Sequence, residues 1–201
     1  MKHYIDITLL PSDDIGMHFL WSKVMTQVHL ALVEIQGSNN KTPVAVSFPN
    51  YKERSASSPA FIGNKMRLFA ADSATLETLN ISRWLNRLED YVHIKAVTKV
   101  PDNIESYESF NRVTKAGNAD KHIRRRMKRH NETEEQASLF YLNYKMDEDV
   151  KALPFIRLKS LGGGDEFNMS IKRKCTTVEG AEYCFSTYGF NPRGALPKFN
   201  Q

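Results

Sequence analysis

Over the first hundred residues the spacing of apolar side chains switches between two and three-or-four, and this alternation restricts the fold more than any other feature. His3, Ile5, Ile7 and Leu9 alternate with Tyr4, Asp6 and Thr8 up to Pro11, the pattern of a half-buried strand. From residue 15 to 36, Met17, Leu20, Trp21, Val24, Val28, Ala31, Leu32 and Ile35 recur at three and four until Gly37-Ser38-Asn39-Asn40 ends the run. A long amphipathic helix is expected there. Residues 44–48 and 65–70 read as short strands on either side of a polar loop, Asp72 or Ser73 is placed to cap a second helix through Leu88, and 93–100 reads as extended before Pro101. The order strand, helix, strand, strand, helix, strand is the split βαβ, or ferredoxin-like, arrangement, which also describes the common RNA-recognition sheet. It hosts many functions and selects none.

A boundary near Pro101-Asp102-Asn103 divides the chain into a ferredoxin-like (RRM-like) βαββαβ domain over 1–101 and a smaller C-terminal α/β part over 102–201, giving an α+β chain. In the second part 107–113 reads as extended, 119–130 as a basic helix, and Asn131 and Glu134 are placed to cap a short helix through Tyr141. Residues 155–159, 167–173 and 183–188 read as two or three further strands, with Gly162-Gly163-Gly164 as a turn.

With 201 residues, 41% of them hydrophobic, the chain can bury a conventional core. No run approaches eighteen apolar residues and the first eleven lack the apolar stretch of a signal peptide, so no membrane contact and a cytoplasmic location are expected. Cys175 and Cys184 lack the paired spacing of a zinc site and read as free thiols.

The net charge of +5 is unevenly placed. Residues 112–130 hold eight basic side chains against the single acid Asp120, a local +7 that leaves −2 for the rest of the chain. So dense a segment points to a polyanion, nucleic acid first. On the expected helix only Ile123 and Met127 offer sizeable apolar anchors, while Lys121, Arg125, Lys128 and Arg129 share another face. Arginine suits phosphate because its fork donates two parallel hydrogen bonds.

The histidines His3, His18, His29, His93, His122 and His130 show no HExxH or similar spacing, so no metal or other cofactor is expected. His29 lies one position off the apolar stripe of the first helix, at the edge of the core. Its type suits a general base near neutral pH, although a lone histidine is more often structural. The acidic runs Glu134-Glu135 and Asp147-Glu148-Asp149 are local, which disfavours a two-metal nuclease. The triple glycine lacks the GK[ST] of a phosphate loop.

The segments HYIDITLLP, VHLALV around His29, VSFP, NRVTKAGN, IRRRMKRH, LPFIRLKS and STYGF, in that order, resemble the CRISPR-associated repeat-RNA endoribonucleases of type I-F systems, the Csy-four or Cas-six-f family. The resemblance runs the length of the chain. It implies a ferredoxin-like first domain and an arginine-rich helix lying along the major groove of a small repeat hairpin. An A-form major groove is too deep and narrow for side chains to read, so mostly phosphate contacts on a short stem are implied. The implied RNA-binding set is Arg112, Thr114, Lys115, Lys121, Arg124, Arg125, Arg126, Lys128, Arg129 and Phe167. Within it Arg112 reads a base pair low in the stem, Arg125, Lys128 and Arg129 follow phosphates, and Phe167 stacks on the stem's end. Where the family carries glutamine two residues after the arginine, this chain has Thr114, and a hydroxyl residue usual two positions after the serine is Gly162.

The resemblance maps catalysis onto His29, Ser160 and Tyr188 and implies metal-independent cleavage: the ribose 2′-hydroxyl attacks the adjacent phosphorus, leaving a 2′,3′-cyclic phosphate and a 5′-hydroxyl. His29 would be the base, Ser160 would orient the hydroxyl, and Tyr188 would position the imidazole. The expected partners are the repeat hairpin of CRISPR RNA, retained after cutting, and other subunits of a type I-F interference complex. Two alternatives remain: a hairpin-binding subunit that does not cut, suggested by Thr114 and Gly162, and a DNA-binding or ribosome-associated protein, which gives His29 no task.

Overall fold

Strand β1 (His3–Leu9) is an inner strand of an antiparallel sheet in the order β2 (Ala45–Ser47), β3 (Lys65–Ala70), β1, β4 (Val92–Ile94), with the two-residue β5 (Thr98–Lys99) also paired to β1. The structure is a computed structural model and describes residues 1–113, 119–141, 149–160, 163–180 and 183–199, without the side chains of 119–121, 149 and 151. Ile5 faces Leu68 and Ile7 faces Met66 across the β1/β3 register. Helix α1 (Met17–Glu34) buries Leu20, Trp21, Val24, Met25, Val28, Ala31 and Leu32, one face at three-and-four spacing, in the same core cluster as these strands.

β1 is buried on both faces, not one as its alternation predicts. Tyr4 and Asp6 point away from α1 yet are 2% and 0% exposed, because the chain's end covers that side: Phe185, Leu196 and Phe199 pack with Tyr4 and Phe69. Asp6 is satisfied there by Arg67, whose Nε and Nη2 donate to its two carboxylate oxygens at 2.6 and 2.9 Å. Arg67 also donates to the Phe199 carbonyl at 3.1 Å and lies over the Tyr4 and Phe199 rings.

The second predicted helix is broken into three pieces. Asp72 does cap α2 (Ser73–Leu79) through the Thr75 amide at 2.8 Å, but Asn80 takes the left-handed conformation (φ 45°) and ends it. A four-residue α3 (Ile81–Trp84) and a 3₁₀ turn (Asn86–Leu88) follow. Asparagine tolerates positive φ, and Ile81 and Leu85 still reach the core after the break, as Leu79 does before it.

The second sheet is also antiparallel, in the order β7 (Phe155–Lys159), β8 (Glu166–Thr176), β6 (Ser106–Val113), β9 (Leu196–Lys198). Residues 183–188 do not form the predicted strand; Phe185 makes one bridge to Thr42, and the added strand is β9. Helices α4 (Ala119–His130), α5 (Glu134–Leu139) and α6 (Asp149–Ala152) lie between β6 and β7 in the chain. The cap of α5 is Thr133, in a reciprocal box with Gln136, rather than Asn131 and Glu134. With its two antiparallel sheets and separate helices the chain is α+β.

Phe110, Ile156, Leu158, Met169 and Ile171 of the second sheet share one core with α1 and the first sheet. Phe48 stands at the join, edge-on to Trp21 (5.5 Å) and to Phe110 (5.3 Å). This shared core brings the end of β7 alongside α1.

Candidate active site

His29 sits in the fourth turn of α1 beside Val28, far enough off the apolar stripe that its ring is only partly buried. Its Nδ1 lies 2.8 Å from the Thr187 carbonyl oxygen. A carbonyl only accepts, so Nδ1 carries the proton and donates it, and in the neutral ring Nε2 holds the lone pair. The Tyr188 ring stacks on the imidazole at 4.2 Å with 7° between planes.

The loop carrying Thr187 and Tyr188 is held from both ends. Thr42 and Phe185 exchange backbone bonds, the Gly189 amide donates to the Ser186 carbonyl at 2.7 Å, and the Val46 amide donates to the Gly189 carbonyl at 2.9 Å. Gly189 has φ 76°, and a Cβ there would fall inside Val46, so glycine alone brings the loop against β2. The tyrosine is therefore a loop residue, not a strand residue.

Ser160 closes β7. Its amide donates to the Asp165 carbonyl at 2.8 Å, its carbonyl accepts from the Gly164 amide at 2.9 Å, and Gly164 takes φ 73°. The Ser160 hydroxyl oxygen is 3.4 Å from the Gly163 amide. From β6, Arg112 places its guanidinium 4.8 Å from the Phe167 ring and 5.7 Å from the Tyr188 ring.

These side chains meet around one cavity of about 400 Å³, lined by Thr26, His29, Arg112, Leu158, Lys159, Ser160, Phe167 and Tyr188. Residues separated by well over a hundred positions thus share one concavity containing an imidazole, a hydroxyl, two cations and two aromatic faces. Thr26 and Lys159 are members the sequence reading missed. Thr26 is one turn before His29 and Lys159 adjoins Ser160, so helical spacing and adjacency could have found them. Among the described residues no group of three or more His, Cys, Asp or Glu side chains is placed to hold a metal ion.

The basic helix is a separate surface. On α4, Arg124, Arg125, Lys128 and Arg129 are exposed and Ile123 and Met127 half-buried. Arg126 differs: it donates to both Glu132 oxygens at 2.6 and 2.7 Å, and its guanidinium lies 3.5 Å from the Phe140 ring centre. Its fork is occupied in fixing α4 to the segment that follows. Thr114, Lys115 and Gly162 lie outside the described residues, as does the Lys121 side chain.

A family profile described as "CRISPR-associated protein (Cas_Csy4)" matches residues 4–199. A protein of Escherichia coli (strain UTI89 / UPEC) named "CRISPR-associated endonuclease Cas6/Csy4" is 29% identical over 199 residues, covering 99% of this chain and 100% of that one. A protein of Pseudomonas aeruginosa (strain UCBPP-PA14) with the same name is 31% identical over 203 residues, with 99% and 100% covered. A solved structure titled "An RAMP protein binding different RNA substrates" aligns over 99% of this chain and 100% of its own at 7% identity, with a TM-score of 0.31, too low to decide anything about the fold.

Proposed function

The chain belongs to the Cas_Csy4 family of CRISPR-associated proteins, and on that premise we propose that it is an endoribonuclease that cuts CRISPR precursor RNA at the repeat hairpin without a metal ion. The observation that carries this reading is the hydrogen bond from His29 Nδ1 to the Thr187 carbonyl, which leaves Nε2 as the basic nitrogen at the cavity.

Nε2 takes the proton of the ribose 2′-hydroxyl upstream of the cut. The freed oxygen attacks the adjacent phosphorus in line, the bond to the 5′-oxygen breaks, and that oxygen takes a proton from water as it leaves, while Nε2 gives its own proton back to solvent. The products are a 2′,3′-cyclic phosphate and a 5′-hydroxyl. Ser160 holds the attacking hydroxyl, and Tyr188, stacked on the imidazole, restricts the ring to the orientation in which Nε2 faces the ribose. Arg112 and Lys159 supply positive charge at the same cavity, where the phosphorane gathers negative charge. Phe167 offers the stem a stacking face, and Arg125, Lys128 and Arg129 offer its phosphates a row of exposed cations.

We read residues 1–101 as a ferredoxin-like domain, supported by the strand order β2-β3-β1-β4 that two interleaved split βαβ units produce, and 102–201 as the RNA-binding part with the arginine-rich helix. After the cut the protein stays on its hairpin as a cytoplasmic subunit of a type I-F interference complex.

The test is cleavage of the repeat hairpin in excess chelator, with all-ribose RNA and with a 2′-deoxy nucleotide just upstream of the cut. Cleavage of the first alone is expected. Loss of cleavage on chelation would overturn the metal-free chemistry, and binding without cleavage of either RNA would assign a non-cutting hairpin-binding subunit instead.

A further inference from the structure

The cavity at His29 lies at one end of the seam, or furrow, where α1 packs on β7, and a second hollow lies at its other end. His18 and His29 are eleven residues apart on α1, and eleven steps of 100° return to within about 20° of the same direction, so both belong to one face of the helix. Ser22 and Thr26 lie between them on that side, with the Thr26 hydroxyl donating to the Ser22 carbonyl at 2.7 Å. Beside α1 runs β7, the edge strand of its sheet, where Phe155, Arg157 and Lys159 alternate outward and are exposed. Phe155 meets His18 at one end of the furrow; Lys159 and Ser160 meet His29 at the other.

At the His18 end lies a larger hollow of about 540 Å³, walled by Trp21, Phe61, Phe155 and the arch of residues 54–60. The arch is closed at its base by reciprocal backbone bonds between Lys52 and Phe61 (2.7 and 2.9 Å), and Trp21 Nε1 donates to the Gly63 carbonyl at 2.8 Å. The hollow is thus built rather than left by a loose loop. Two of its exposed rings, His18 and Phe155, are near parallel: 25° between planes and 6.4 Å between centres, roughly twice the ~3.4 Å stacking rise of nucleic-acid bases. Phe155 and Phe61 are each 40% exposed, and Arg54 stands on the rim.

We propose that this furrow holds the unpaired RNA strand leaving the cut on its 3′ side, with one of its bases held between the rings of His18 and Phe155. The inference rests on the hairpin-cutting reading above. The cut is taken to lie 3′ of the stem, with the stem seated at Phe167 on β8 beside the same cavity, so the α1–β7 furrow is the exit left for the strand beyond the cut. Aromatic faces beside cations are what an unpaired strand needs: bases stack on the rings and phosphates pair with the charges, here Arg157 and Lys159. Eleven helical residues span about 16 Å. That is no more than about five nucleotides at the ~3.4 Å rise of a stacked strand, and fewer when the strand is extended.

The experiment measures affinity for cleavage-blocked RNA carrying a 2′-deoxy nucleotide before the cut: a hairpin ending at the cut, the same hairpin with a five-nucleotide 3′ flank, and flanks with one abasic site at each position in turn. The flank is expected to tighten binding roughly tenfold, and one abasic position to remove most of that gain. Phe155→Ala and His18→Ala should lose the flank's gain while binding the flankless hairpin as before, and Phe155→Trp should keep it. A flank that adds nothing, or variants that weaken both RNAs alike, would overturn the proposal. So would a gain that survives every abasic site and disappears only in Arg157→Ala, which would mean phosphate contact without a base pocket. Failure to bind even the flankless hairpin would instead overturn the hairpin reading, and this one with it.

Discussion

The neutral His29 ring has one tautomer that satisfies the Thr187 carbonyl, and in the proposed reaction that restriction leaves Nε2 as the nitrogen that takes the proton. His29→Ala should reduce the rate of cutting by about 10²–10⁴-fold with hairpin affinity nearly unchanged, read from single-turnover rates beside equilibrium binding. A normal rate would remove the base assignment. Glu108 is a second residue whose state is set by its surroundings. It is 2% exposed on β6, its Oε2 has no partner, and burial pushes its pKa up to about 7, against the attraction of Arg173, Lys198 and Arg67 and a hydrogen bond from Ser47. A carboxyl whose folded pKa lies above its unfolded value near 4.5 binds more protons when folded, so stability falls as pH rises from about 4.5 to about 7 and then levels. The loss amounts to roughly 3 kcal/mol. Urea unfolding at pH 5 and pH 8 should show it in the natural protein, and Glu108→Gln should flatten the difference. Composition shows neither effect, because both depend on which atoms lie within hydrogen-bond reach and how much water is excluded.

Among the elements, α4 and β7 had bounds and exposed charges legible from their residues: 119–130 and 155–159 were expected and are found, with Arg125, Lys128 and Arg129 outward on the first and Arg157 and Lys159 on the second. Spacing could not show that Arg126 on the same helix is taken up by Glu132 and Phe140. Removing a phosphate-facing cation lowers the salt dependence of binding by about one unit of log–log slope. Arg125→Ala and Arg129→Ala should each do so, whereas Arg126→Ala should leave the slope unchanged, since its guanidinium is held by Glu132 and so does not face a phosphate. Equal slopes for all three variants would contradict the division of roles. The elements that escaped the sequence share a cause. The second helix is interrupted because Asn80 accepts positive φ, and 183–188 bend away because Gly189 packs on Val46; in both, local alternation was overridden by a backbone conformation that only the packed neighbours require.

At the scale of the whole molecule the two sheets share one core, and a buried ion pair within the first sheet is tied to the segment that follows β9. Arg67 is 1% exposed and ties Asp6 of β1 to the Phe199 carbonyl near the chain's end. Arg67→Ala should destabilise the protein by about 3–5 kcal/mol in equilibrium unfolding, because Asp6 would keep a buried charge with only Lys65, at 3.8 Å, beside it. A loss below about 1 kcal/mol, the level of a surface pair, would show that water reaches Asp6 freely. The same closure removes the open sheet face on which RNA-recognition folds commonly stack bases, which is why the proposed RNA contacts fall at the His29 cavity and along α4 instead. By itself the sequence determined the periodic elements β1, α1, β3, β6 and α4 and the crowding of positive charge into residues 112–130, since period and charge are local quantities. Tertiary structure alone decided that Tyr188 lies flat on His29, that Ser160 and Arg112 reach the same cavity, and that both faces of β1 are dry. Each of these depends on residues far apart in the chain meeting, and such meetings are selected by the burial of a shared core rather than by any run of neighbouring residues.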